Sequence, residues 1–270
     1  MKTLKFIPLF LIIMTVDVSW SDSRYNYISE SDTETKQLLN EMSKMFKAAQ
    51  VVIFKNLPVI NATTSNKENL FGDNYMKQVE ATYQAKFKES FPKMDHLFKK
   101  QLVASMVEVM DENRTLISDT DIKFKGLIPA TYASQLSHKF SNLGLGIKIK
   151  FTAAPDLLRN QFNAPDTWEV NTISKFQEKD WVKNTAYFDA SAKLYGKPAF
   201  RYMTPLYHSN MCLGCHGAAA DNVLNKNKPE AEWTTIDIAG FPMEGQLLGE
   251  LGGGISISIL KKGYLTFKEK

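Results

Sequence analysis

Ile147-Lys148-Ile149-Lys150-Phe151-Thr152 is the stretch whose reading decides the fold class. Its apolar residues fall at every second position, so an extended chain carries them on one face, as a half-buried strand does. Upstream of Gly144 the spacing is different. Across residues 33–56, Leu38, Leu39, Met42, Met45, Phe46, Ala49, Val52 and Ile53 recur at three- and four-residue intervals until Pro58, the period of one amphipathic helix. Residues 74–91 and 97–113 repeat that period, with a polar loop at 61–69 and Pro92 as punctuation. Pro129 opens a fourth helix that ends near Phe140.

Downstream, a helix over residues 166–179 is followed by strands at 186–194 and 199–206, joined by a turn at Tyr195-Gly196-Lys197-Pro198. A last strand at 254–260 sets Ile255, Ile257 and Ile259 against Ser256 and Ser258. Helices first and a mostly antiparallel sheet second predict an α+β fold, with residues 22–145 as a helical region and 146–270 as a sheet region, integrated in one domain. The Asn-, Lys- and Gly-rich residues 218–249 read as a long loop containing Trp233 and Phe241.

The chain has 270 residues, 44% hydrophobic and 23% charged, enough to bury a core. Its N-terminus places Lys2 and Lys5 before an apolar run from Phe6 to Val16, then Ser19-Trp20-Ser21, the layout of a secretory leader cleaved near Ser21, so residues 1–21 are expected to be removed. The run is shorter than the roughly twenty residues of a spanning helix and is closed by Asp17. No cysteine follows it to carry a lipid. The expected address is periplasmic, with no membrane span after cleavage. A formal charge of +4, with lysines scattered among acids, argues against nucleic acid as a partner.

The chain's two cysteines both lie in Cys212-Leu213-Gly214-Cys215-His216. Two thiols at this spacing can add across the vinyl groups of a haem, and the adjacent imidazole then falls under the iron as its proximal ligand. One covalent haem c is the cofactor this predicts, with His216 on the iron. A thioredoxin-like pair would place the motif at a strand-to-helix junction, whereas Gly217 and three alanines follow it here. Zinc would need a fourth ligand from His96, His138, His208 or a carboxylate; a local disulfide is the third alternative. For the sixth iron position, His138 near the end of its helix ranks first among His96, His138, His208 and the methionines. His208, only four residues before Cys212, reads as a surface residue at a strand end. Arg159, Arg201 and Tyr202 are candidates to meet haem propionates, and Trp168, Trp181, Phe200 and Phe241 to pack on the ring.

Three segments resemble a periplasmic c-type haem family with a PAS-like fold, long catalogued as a domain of unknown function. They are Arg159-Asn160-Gln161-Phe162-Asn163-Ala164-Pro165-Asp166-Thr167-Trp168-Glu169, similar to that family's Arg-Asn-Pro-x-Asn-x-Pro and acidic residue; Tyr202-Met203-Thr204-Pro205-Leu206 running into Cys212 to Gly217; and the glycine-rich residues 245–259. The resemblance implies a PAS-like antiparallel sheet under an N-terminal helical cap, one covalent haem, and redox chemistry or sensing. Gln161 stands where the family has proline. Some members are thought to supply a distal cysteine from the helical region; this chain has none there, so that ligand does not carry over.

The expected function is that of an electron carrier working with a redox partner protein. The alternative is a redox or gas sensor that signals through a separate partner protein. No His/Arg pair of the kind a haem peroxidase needs can be placed, so catalysis is not expected. Oligomeric state is not read from the sequence.

Overall fold

The computed structural model describes residues 25–28, 31–63, 66–261 and 266–269, with side chains described from 31 to 261 only. The expected leader, residues 1–21, lies outside them. After strand β1 (Tyr25–Ile28), helix α1 (Asp32–Lys55) opens on a capping box in which Ser31 and Glu34 satisfy each other's backbone N–H groups. Leu39, Met42, Met45 and Phe46 are fully buried along one face of α1, each worth about 2 kcal/mol of apolar burial. Pro58 does not mark the end of helical structure: α1 stops at Lys55, and Pro58 lies in the first turn of the short α2 (Leu57–Asn61), where its missing N–H costs nothing. Helices α3 (Gly72–Phe87), α4 (Leu97–Glu112), α5 (Arg114–Ser118) and α6 (Pro129–Ser141) complete the helical layer.

The period change after Gly144 marks the start of the sheet. Strand β2 (Ile147–Thr152) leads to α7 (Thr167–Phe176), capped by Asp166 and Glu169 as Ser31 and Glu34 cap α1. The expected strand over 186–194 is broken instead into β3 (Tyr187–Asp189) and β4 (Lys193–Leu194), because Asp189 accepts the Ser191 N–H and turns the chain. Tyr195 and Gly196, both at positive φ, form a two-residue hairpin into β5 (Lys197–Tyr207). Helix α8 (Asn210–His216) follows, then β6 (Leu251–Leu260). The expected last strand is therefore not the last: β7 (Thr266–Glu269) pairs antiparallel with β1.

The main sheet runs β2-β6-β5-β3, with β4 also on β5, and every pairing is antiparallel. Tyr202 lies opposite Ile257, and Ile257 opposite Ile149, so Ile149, Ile255, Ile257, Ile259 and Tyr202 join the helical core on one face. The opposite face is buried too. There α7 lays Ile173 and Phe176 over Met203, with Trp168, Trp181 and Tyr187 around them. The centre of β5 thus lies between two layers, and its odd-numbered side chains have to be satisfied inside the protein. β5 then delivers the chain to α8.

Candidate functional site

Cys212 and Cys215 stand one helical turn apart on α8, both free and half-buried, and His216 ends the helix. The helix starts against Ser209, whose N–H and hydroxyl each lie 3.4 Å from Cys212 Sγ. The two thiols differ in acidity. Burial pushes the Cys212 thiol up, but the His208 and Ser209 side chains, the Ser209 N–H and the charge of Lys47 on α1 outweigh it and bring it down to about 7. At Cys215, burial and then the Asp237 carboxylate act in the same direction and raise the thiol to about 11. Burial also lowers Lys47 itself, to about 8.

The segment after the motif folds back alongside it. Gln246 N–H donates to His216 C=O at 2.7 Å, and Gly245 N–H to Gly217 C=O at 3.1 Å. This short pairing sets the preceding residue, Glu244, against the imidazole, with Oε2 2.9 Å from His216 Nδ1. A carboxylate at Nδ1 holds the proton there and leaves Nε2 as the ring's lone-pair nitrogen. Burial first, and Arg159 second, hold the His216 pKa below its usual value, which keeps the ring neutral near pH 7.

Arg159 ties the arrangement together. Its Nε and Nη2 fork onto Glu244 at 2.6 and 2.9 Å, its Nη1 meets Asp237 at 2.6 Å, and Nη2 also donates to the Cys215 carbonyl at 2.8 Å. Asp237 has no exposed side-chain surface, and its other oxygen accepts the Ala239 and Phe241 N–H groups. Burial would raise both carboxyls; at Asp237 the Phe241 N–H and Arg159, and at Glu244 Arg159 and His216, override it and hold them below the usual carboxylate range.

His208 corrects its expected place. It is buried, not a surface residue: its backbone pairs with Gly249 and Glu250, and its ring lies 5.2 Å from that of His216, centroid to centroid. It fills the space over Gly252, where a Cβ would come within 2.8 Å of Cε1 and Nε2. Its Nε2 is buried and has no hydrogen-bond partner.

The family model for Tll0287-like proteins matches residues 26–259 of this sequence. The chain belongs to the Tll0287-like family. Among solved structures, that of the cyanobacterial haem protein Tll0287 is similar at 16% identity and a TM-score of 0.36, covering 60% of this chain and 94% of that one. No curated protein matches.

Of the residues singled out in the sequence, the structure brings Cys212, Cys215, His216 and Arg159 together. It directs Arg201 and Tyr202 elsewhere. Arg201, buried on the α7 side of β5, is paired with Asp166 at 2.7 Å and Glu169 at 3.3 Å, donates to Ser258 and stacks on Trp168. Tyr202, on the helical side, donates to Asn40 of α1. His138 is exposed at the end of α6, beside Asn142 and the Phe162 ring. Trp181 packs on Phe176, and Phe200 stacks on Phe188; Phe241 is the one candidate ring aromatic beside the site, under Arg159. Glu244, Asp237 and Lys47 were not foreseen. The two acids belong to the loop at 218–249, which has no periodicity to phase them, and Lys47 reads as one more charge on a helix. A zinc ion would need several converging ligands; among the described residues no group of three or more His, Cys, Asp or Glu side chains could hold a metal ion.

Proposed function

We propose that this chain is an exported, monohaem c-type protein with a PAS-like sheet that carries electrons to or from a partner protein. One observation carries the reading: two free thiols a helical turn apart precede an imidazole whose Nδ1 is committed to Glu244, leaving Nε2 to bind. The donor set fits a haem iron, which asks the protein for one or two axial nitrogens, better than it fits a bare ion. The buried, unpartnered Nε2 of His208 beside His216 also marks a site that the protein side chains alone do not complete. Cys212 and Cys215 would each add S–H across a vinyl group, forming a thioether with the proton passing to the neighbouring carbon. His216 would hold the iron through Nε2. When bound, the haem would supply a one-electron couple. Membership of the Tll0287-like family, whose namesake is a cyanobacterial haem protein, accords with this.

Leu247 and Leu248, 64% and 62% exposed, directly follow the segment paired with His216 and give the site an apolar rim suited to brief docking of a redox partner. A second reading, a redox or gas sensor signalling through a separate protein, is favoured by the coupling of β5 to α1. Tyr202 bonds Asn40, and Thr204 bonds Ser43 at 2.8 Å, so a shift at α8 can pass along β5 to the central helix.

The test is a pyridine haemochrome spectrum of protein expressed with its leader in a host that attaches haem outside the cytoplasm. A c-type spectrum that stays with the polypeptide through acid-acetone extraction is expected. Colour passing into the solvent, or a Cys212→Ser/Cys215→Ser variant with an unchanged spectrum, would overturn the reading.

A further inference from the structure

The geometry points to Glu244, Arg159 and Asp237 as a charge clamp that sets how strongly His216 donates to a metal, a positioning role exercised through the imidazole and resting on the haem reading above. Glu244 Oε2 is shared: it accepts from His216 Nδ1 at 2.9 Å and from Arg159 Nη2 at 2.9 Å, while Oε1 takes Arg159 Nε at 2.6 Å. A carboxylate on Nδ1–H draws that proton outward and makes the ring a stronger donor at Nε2. Arg159 competes for the same oxygen and weakens that pull. The guanidinium cannot drift to one side, because Asp237 holds Nη1 at 2.6 Å and the Cys215 carbonyl holds Nη2 at 2.8 Å. Asp237 is itself fixed by the Ala239 and Phe241 N–H groups.

Three charges from two separated segments thus form a chain that ends on the one side of the ring that does not face a ligand. Had the segment needed only packing, a neutral contact would hold it, since the backbone pairing of residues 245 and 246 with 217 and 216 already fixes the loop. Two acids against one guanidinium, in a partly dry setting where charges are weakly screened, amount to an electrostatic setting on His216.

The roles carry opposite signs, and that makes them testable. In the haem-loaded protein, Glu244→Gln is expected to raise the reduction potential, read by spectroelectrochemical titration. Arg159→Gln is expected to do the reverse, since Glu244 then acts on His216 unopposed. Asp237→Asn should follow Glu244→Gln with a smaller shift, as Arg159 turns fully to Glu244, and Arg159→Lys should restore most of the wild-type value. A scaffold that only holds the loop predicts the same direction for every variant, so same-sign shifts in Glu244→Gln and Arg159→Gln would overturn the clamp. The haem-free polypeptide supplies a second readout: ¹⁵N spectra should show His216 as the Nδ1–H tautomer, and Glu244→Gln should release it. A different tautomer in the wild type overturns the clamp, whereas a wild type that takes up no haem but keeps the tautomer overturns the haem reading alone.

Discussion

Cys212 and Cys215 share one helical turn and yet meet different surroundings. The first is flanked by the start of α8, His208 and the Lys47 ammonium, the second by the Asp237 carboxylate. Near pH 7 a large fraction of Cys212 is therefore thiolate and almost none of Cys215, because a lowered pKa favours the charged form at a given pH and a raised one the neutral form. In the haem-free chain, iodoacetamide at pH 7 is expected to label Cys212 at least about tenfold faster than Cys215, read by peptide mass spectrometry. Lys47→Met should slow the labelling of Cys212 and leave Cys215 nearly unchanged. Equal labelling of the two would contradict this account of the site. The thiols themselves were legible at first sight, since their spacing is a local property. Their inequality was not, because Lys47 lies 165 positions before Cys212 in the chain and Asp237 acts from a loop without a pattern.

At the scale of elements, alternation located the strands but did not show that both faces of the sheet are covered. Strand β6 takes a central place between β2 and β5 through close backbone approach. Gly253 sits at φ +145, and a Cβ there would lie 2.1 Å from the Thr152 carbonyl oxygen, so this position excludes any side chain. Gly253→Ala is expected to cost about 2–4 kcal/mol, the upper end for a single substitution, measured as a drop in the urea midpoint at unchanged slope. A loss under about 1 kcal/mol would mean that the β2–β6 pairing is not the rigid contact described here. The breaks in the expected elements have local causes as well. Asp189 turns the chain between β3 and β4, and Asn56 ends α1 before Pro58 opens α2.

At the scale of the whole molecule, one long helix and one central strand carry the site. α1 bonds β5 at Tyr202 and Thr204, and β5 runs into the motif helix, so the helical layer and α8 are connected through side-chain hydrogen bonds and not only by packing. No helix among the described residues is long and apolar enough to cross a membrane. The two readings of the function differ in what this connection is for. A carrier keeps its iron six-coordinate and closed, whereas a sensor leaves a position that a gas can take. Mixing the ferrous, haem-loaded protein with carbon monoxide is expected to leave the absorption bands in place for minutes. A shift on mixing would favour the sensor and count against electron transfer as the principal role.

The sequence by itself determined the α+β class, the order of helices before the main sheet, and the adjacency of Cys212, Cys215 and His216. Hydrophobic period and residue adjacency are properties of neighbours in the chain and survive without knowledge of the fold. Only the tertiary structure decided what surrounds His216. Glu244 follows it by 28 residues and reaches the ring from an irregular segment that pairs through its backbone with the end of α8, while Arg159, 85 residues before Glu244, is bonded to the ring only through that carboxylate. The same holds for Arg201: sequence offered it to a cofactor, and the burial of both sheet faces gave it to Asp166 and Glu169, because a cation shut inside the protein requires carboxylates within reach.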